Sequence, residues 1–288
     1  MAFKSPPEIY ESTIEVGAAK AAAPFGKSLV AGALAGAFIA FGALFAIAVT
    51  SGMDPGTWGT LPQLFAGACF SFGLMLVLIA GAELVTGAVP AVVLAAGKRR
   101  ASWSRVGAYL ALTTLGAFLG SLLVAYFLGV KSGVLTGPEQ LERLGAIATL
   151  KARTETDWQI FLRGIGCNWL VCLAVWMALA ADGVGGKIAA IFFPVTAFVA
   201  MGFDHLVANM FFLPAAHFAG VPGIEWANIL NNLLYAGLGN LVGALVFVCC
   251  AYWYLYGRRS EGVAAETVPA PRAPAPVEPR PEPAPARG

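Results

Sequence analysis

Inside a long apolar run, Gly202, Asp204, His205 and Asn209 bring a glycine, a carboxylate, an imidazole and a carboxamide together. An ionisable group at bilayer depth costs on the order of 2.5–3.5 kcal/mol on insertion scales, so such a group is kept where it faces a cavity or a pathway. An imidazole is the side chain best tuned to exchange a proton near neutrality. On one continuous helix Phe198, Gly202, His205, Asn209 and Phe212 follow steps of four or three and share a stripe, with an apolar ring on either side of a polar centre. His205 therefore reads as the midpoint of a transmembrane pore. The plainer alternative is a buried histidine that hydrogen-bonds between helices as structural glue. Asp204 falls about 100° around the helix from His205 and is expected to cap a second half-helix rather than to touch the imidazole.

Other segments supply partners. Asn168, Val171, Cys172 and Val175 form a second stripe; Asn168 either orients the His205 ring or makes an ordinary interhelical hydrogen bond. Gly81, Glu83, Gly87 and Pro90 interrupt another apolar run. Irregular backbone at membrane depth is tolerated only when buried or lining a cavity, so the Thr86 hydroxyl is placed to face His205 across a pathway. Glu83 is expected to cap a helix and anchor the break. Phe70 and Leu74, at i and i+4, lead into that break and read by default as core, with a gate as the alternative. His217 reads as an interfacial, solvated histidine. No nucleophile–base–orienter cluster, phosphate loop or metal-ligand spacing appears, so neither an enzyme nor a cofactor or metal is expected.

The elements that must position these residues follow from composition. Of 288 residues 58% are hydrophobic and 12% charged, with a mean hydropathy of +0.75. Soluble domains carry about 25% charged residues, so this chain reads as an all-α, polytopic membrane protein. A net charge of +2 gives nucleic acid no electrostatic footing. The five cysteines lie in apolar segments and read as packing residues. Residues 1–27 are predicted to be a cytoplasmic amphipathic helix capped by Ser5 and lying along the membrane surface, rather than a signal peptide. Six spans follow within 28–257, at about residues 28–50, 61–96, 106–130, 158–181, 188–218 and 226–256, the second and fifth interrupted. Residues 258–288 are proline, alanine and charge, and read as a disordered cytoplasmic tail. Lys20, Lys27, Lys98, Arg99, Arg100, Arg258 and Arg259 crowd one side, which puts both termini in the cytoplasm. Interruptions at matching places in two halves point to inverted repeats around a midplane site.

At this level of detail the chain resembles the formate/nitrite transporter family. The resemblance rests on Pro-Pro-Glu-Ile at 6–9, AELVTG at 82–87, RGIGCNWLVCLAVWMA at 163–178, GFDHLVANMFFLP at 202–214 and NNLLYAGLGNLVGA at 231–244. It implies an aquaporin-like protomer, a homopentamer with one pore per protomer in a bacterial-type inner membrane, and passage of formate, nitrite or hydrosulfide with protons, without ATP. It also implies that His205 is the central histidine, Thr86 the threonine of the mobile break, Asn168 the asparagine near the histidine and Lys151 a vestibule lysine. Leu84, Phe198 and Val171, with Val85 beside them, match an inner constriction, and Phe70 and Leu74 another. Glu83, Asp204, Asn209 and Gly202 are carried over as structural residues near the site, with Asp204 standing where the family commonly has Glu. Formate is the first expectation and nitrite the runner-up; a neutral-solute channel or a non-transporting scaffold is the rival from another class.

Overall fold

A computed structural model describes residues 3–257; the expected tail, with Arg258 and Arg259, lies outside the described residues. The chain runs through α1 (Pro6–Ala22), α2 (Phe25–Thr50), a single turn α3 (Pro55–Trp58), α4 (Leu61–Ala80) and α5 (Val85–Gly97). It continues through α6 (Trp103–Leu123), α7 (Pro138–Thr149), α8 (Asp157–Ala180), α9 (Val184–Ala200), α10 (Leu206–Phe218) and α11 (Trp226–Ala244). Wider π-helical turns extend α6 over Val124–Lys131, α7 over Leu150–Thr154 and α11 over Leu245–Cys250.

Among the described residues five helical stretches are long and apolar enough to cross a membrane. The sixth span is built from the two short halves α9 and α10, just as α5 completes the span begun by α4. Val30, Phe45, Leu119, Leu123, Leu230 and Leu234 stand exposed on the outside. An apolar exterior of this extent is what a lipid environment stabilises and water does not.

The two halves pack alike. α2 lies against α6 and α4, α8 against α11 and α9, and the halves meet where α4 crosses α9. Without a hydrophobic drive between helices in lipid, close backbone approach supplies the contact, and that requires small residues. A Cβ on Gly36 would stand 2.0 Å from the Ala117 carbonyl oxygen, and one on Gly239 would stand 2.2 Å from that of Phe161.

α1 packs one face into the protein: Ile9, Tyr10, Ile14, Gly17 and Ala21 are buried, chiefly against α5. Its apolar spacing was visible in the sequence, but not the protein groove that receives it. The expected cap is present, because the Glu8 carboxylate accepts from the Ser5 amide at 2.7 Å and from its hydroxyl at 2.6 Å.

Close packing predicts opposite fates for two glycines on α6. A Cβ on Gly120 would stand 1.9 Å from the Ala33 carbonyl oxygen, whereas one on Gly107 meets nothing within 4 Å. Gly120→Ala is expected to destabilise by about 1–3 kcal/mol through overpacking. Gly107→Ala is expected to be neutral or to stabilise by up to about 1 kcal/mol. Melting of the purified variants in detergent checks both signs.

Candidate functional site

Each broken span is interrupted the same way. Gly81 (φ 91°) and Gly202 (φ 72°) turn the chain through the left-handed region that favours glycine. Two residues further stands a carboxylate, Glu83 or Asp204, and two beyond that the second half-helix begins, at Val85 or Leu206. Each carboxylate binds a lysine from the helical segment that precedes its half. Glu83 pairs with Lys20 of α1, and also accepts from the Tyr109 hydroxyl at 2.5 Å. Asp204 pairs with Lys151, in the π turn after α7, at 2.7 Å.

These anchors bring the first turns of α5 and α10 together at the middle of the chain's packing. Thr86 Oγ1 lies 2.8 Å from His205 Nε2. The imidazole is buried and occupies the N-cap position of α10, where Nδ1 accepts from the Ala208 amide at 3.2 Å. With Nδ1 accepting, the neutral ring carries its hydrogen on Nε2 and donates it to Thr86 Oγ1. The Thr86 hydroxyl hydrogen then remains available to a third group. Both half-helices also present their N-termini here, where unpaired amides and the macrodipole favour negative charge.

A shell of carboxamides holds this geometry without adding charge. Asn240 donates to the carbonyls of Gly164 and Asp204 at 2.9 and 2.8 Å and accepts from the Leu206 amide at 2.9 Å. Asn168 donates to the carbonyls of Thr86 and Asn240 at 3.2 and 2.7 Å. Asn209 bridges Asp204 and Asn232 at 2.8 Å each, and Asn232 donates to the Lys151 carbonyl at 3.0 Å.

Beyond Asp204 lies Glu155, also buried and paired with Arg163. Glu155 Oε2 and Asp204 Oδ2 are both buried and make no hydrogen bond among the described residues. Burial first, and then the charge of Asp204, push Glu155 up to about 7 against the pull of Lys151 and Arg163.

Three cavities lie in series along this line. A first chamber of about 240 Å³ is bordered by Arg143, Lys151, Asn209, His205, Phe70 and Phe198. The throat, about 10 Å³, is ringed by Ile39, Phe70, Leu74, Leu84, Val171, Val195, Phe198 and His205. Such a volume is on the order of a single water-sized probe. A second chamber of about 100 Å³ shares Leu84 with the throat and reaches Lys20, Gly87 and Trp176.

The structure brings several of the expected residues together, and several of them connect differently from the expectation. Phe198, Gly202, His205, Asn209 and Phe212 do line one chamber, though no single helix carries them, since residues 201–205 are irregular. The two expected constrictions merge into one throat, where the rings of Phe70 and Phe198 meet edge to face at 5.9 Å. Val85 is not part of it; it borders a separate cavity of about 530 Å³ with Thr114 and Leu234. Asp204 does not cap α10, because His205 takes that place and the carboxylate is drawn to Lys151. Asn168 holds the Thr86 backbone and does not touch the imidazole. Glu83 anchors its break as expected, while Leu84 holds the N-cap position. His217 hydrogen-bonds the Ile224 carbonyl at 2.8 Å beside the Trp226 ring. Asn232, Asn240 and Glu155 were missed. The one signal for the two asparagines was their presence as carboxamides eight apart on one apolar helix, roughly 80° from each other around its axis.

Comparison with known proteins gives this geometry its relatives. The family model described as formate/nitrite transporter matches residues 7–254. A probable formate transporter of Methanothermobacter thermautotrophicus is 45% identical over 269 residues, covering 88% of this chain and 97% of its own length. The nitrite transporter NirC of Escherichia coli is 34% identical over 236 residues, covering 82% and 85%. A solved structure described as a pentameric formate channel with formate bound superposes with a TM-score of 0.70 at 32% identity, covering 81% of this chain and 97% of that one.

The charges around the first chamber can be tested through stability. Lys151→Met strands the fully buried Asp204 carboxylate and is expected to cost about 3–5 kcal/mol. The double variant with Asp204→Asn recovers part of that loss, as a thermal double-mutant cycle will read. Folded Glu155 keeps its proton to about pH 7 while the unfolded carboxyl releases it near 4.5. Stability therefore falls as pH rises through that window, since the folded state binds more protons there. Glu155→Gln is expected to flatten that part of the melting-temperature profile, between pH 4.5 and about 7.

Proposed function

The chain belongs to the formate/nitrite transporter family, and on that premise we propose that it conducts small monovalent anions, formate first and nitrite second, through a path centred on His205 and Thr86. The observation that carries this reading is the Thr86–His205 contact at 2.8 Å, where two half-helix N-termini converge and His205 borders both the first chamber and the throat. Formate is preferred because a relative 45% identical is described as a probable formate transporter. Nitrite stays as the second reading because NirC, at 34% identity, is a nitrite transporter. Hydrosulfide is a further member of the same charge class. Assembly as a homopentamer in a bacterial-type inner membrane, with both termini cytoplasmic, is supported by the pentameric state of the solved relative and by the basic residues near the termini.

The throat sets the mechanism. A bare anion entering an apolar ring loses its hydration and is driven to neutralise instead. An anion in the first chamber meets His205, the amide end of α10 and the Lys151 side chain, and reaches the Thr86 hydroxyl where that hydroxyl bonds His205 Nε2. Its negative charge favours a cationic imidazole. A proton from bulk water then binds His205 Nδ1, displacing the Ala208 amide from that nitrogen. The imidazolium passes its Nε2 proton by way of the Thr86 hydroxyl, which takes that proton and gives its own to the anion's oxygen. A neutral weak acid results, able to cross the throat, and the ring is left neutral with its hydrogen on Nδ1. Release of that proton to water and uptake of one at Nε2 restore the resting tautomer and the Ala208 cap. Opening the α10 cap is thus coupled to anion arrival, so an empty path does not hold a cation at its centre.

Flux of formate into proteoliposomes at several pH values tests this. Removing one hydrogen bond to a charged species costs about 1.5–3 kcal/mol, or about 10–100-fold. Thr86→Val is expected to slow formate by that order, and His205→Asn to slow it and abolish its rise at acid pH. Unchanged flux with an unchanged pH profile in His205→Asn would remove the imidazole from the path.

A further inference from the structure

The first chamber has a second cation that none of this uses. Arg143, on α7, borders both that chamber and a separate outer pocket of about 300 Å³; Thr50, Arg143 and Ala146 form their common wall. Its Nε donates to Thr50 Oγ1 at 3.1 Å, and the Thr50 hydroxyl in turn donates to the Ala46 carbonyl at 2.7 Å. That chain fixes the plane of the guanidinium. The two Nη groups make no hydrogen bond among the described residues, and Arg143 forms no ion pair there. Burial weakens its hold on its proton, and no carboxylate offsets that cost.

The surroundings differ on the two sides of this wall. The outer pocket is bordered by Asp54, Glu139 and Glu142, whereas the first chamber is bordered by Arg143 and Lys151 and by no carboxylate. Asp54 is engaged by the amide and hydroxyl of Thr57, both at 3.1 Å, and none of the three acids comes within ion-pair distance of Arg143. A half-buried guanidinium with its fork unfilled, held in plane by a neutral hydroxyl, has the geometry for two parallel N–H···O bonds to one planar anion.

Resting on the anion-transport reading above, we propose that Arg143 is the entry anion-binding residue of the first chamber, selecting small planar anions with two oxygens, carboxylate or nitrite, over anions with a single acceptor atom such as hydrosulfide. The fork engages both oxygens of the first class and can place only one donor pair on a lone sulfur. From Arg143 the anion passes to Lys151 and then to His205, all three bordering the chamber, with Thr86 reached through its bond to His205. Because Arg143 hydrogen-bonds neither His205 nor Thr86 among the described residues and does not border the throat, it governs capture and leaves the throat unchanged.

The test is the concentration dependence of formate, nitrite and hydrosulfide flux at one pH in proteoliposomes of wild type, Arg143→Lys and Arg143→Gln. Arg143→Gln is expected to raise the half-saturating concentration of formate and nitrite about tenfold. Maximal flux should hold within about twofold, and half-saturation by hydrosulfide should shift less than about threefold. Arg143→Lys keeps the charge and loses the fork, so it too should weaken formate more than hydrosulfide. If Arg143→Gln does not assemble, this second variant decides alone. An equal shift for all three anions, or none, overturns the proposal. Failure of the wild type to carry any of them sinks the family-based reading instead.

Discussion

A helix interrupted inside an apolar slab leaves amides and carbonyls that water cannot satisfy, and the rest of this fold answers to that constraint. The chain meets it twice with one device: a left-handed glycine, a carboxylate two residues on, and a lysine from the helical segment preceding the same half. Lys20 and Lys151 thereby stand at corresponding places in the two chambers, one on either side of the throat. Fixing both breaks fixes where α5 and α10 begin, and so where their positive ends meet. Thr86 and His205 come into contact because the two devices face each other.

Charge is handled differently at the centre and at the edges. Next to the imidazole the supporting groups are neutral carboxamides, Asn168, Asn209, Asn232 and Asn240, each using backbone or side-chain partners already present. Ionisable groups sit one layer further out, and there they are paired: Lys151 with Asp204, and Arg163 with Glu155, whose carboxyl burial pushes up to about 7. A paired buried charge contributes little net stability, yet losing one partner is costly. Such pairs therefore lock geometry better than they add to folding energy. Arg143 departs from this pattern, a cation at the chamber wall leaning on a hydroxyl alone.

Much of this was legible before any coordinates. Apolar runs bounded by basic loops located the spans, and glycine beside an acid at 81–83 and 202–204 located both breaks, because few other residues tolerate or require that conformation. His205 and Thr86 stood out as polar groups with no reason to be in lipid. What the sequence withheld was whatever depends on which residue another one faces. Asp204 looked like a cap because short acids often are, and only the folded chain brings Lys151 to it from 53 positions away. Val85 and Leu84 are neighbours with similar side chains, yet helix geometry sends Leu84 to the throat and Val85 to an outer groove. The carboxamide shell was hidden because asparagine in an apolar helix also serves ordinary helix pairing.

In the mechanism proposed for this path, His205 waits as a neutral ring with its hydrogen on Nε2, aimed at Thr86, and changes state when an anion arrives. The chain contains two histidines, so nitrogen-15 labelling of histidine in membrane-reconstituted protein, with His217→Gln to assign the signals, reads that state directly. In the absence of anion this mechanism predicts a neutral His205 protonated at Nε2. With formate present at acid pH it predicts loss of the unprotonated Nδ1 signal as that nitrogen gains a proton. A ring protonated at Nδ1 from the outset, or a spectrum indifferent to formate at every pH, would contradict it.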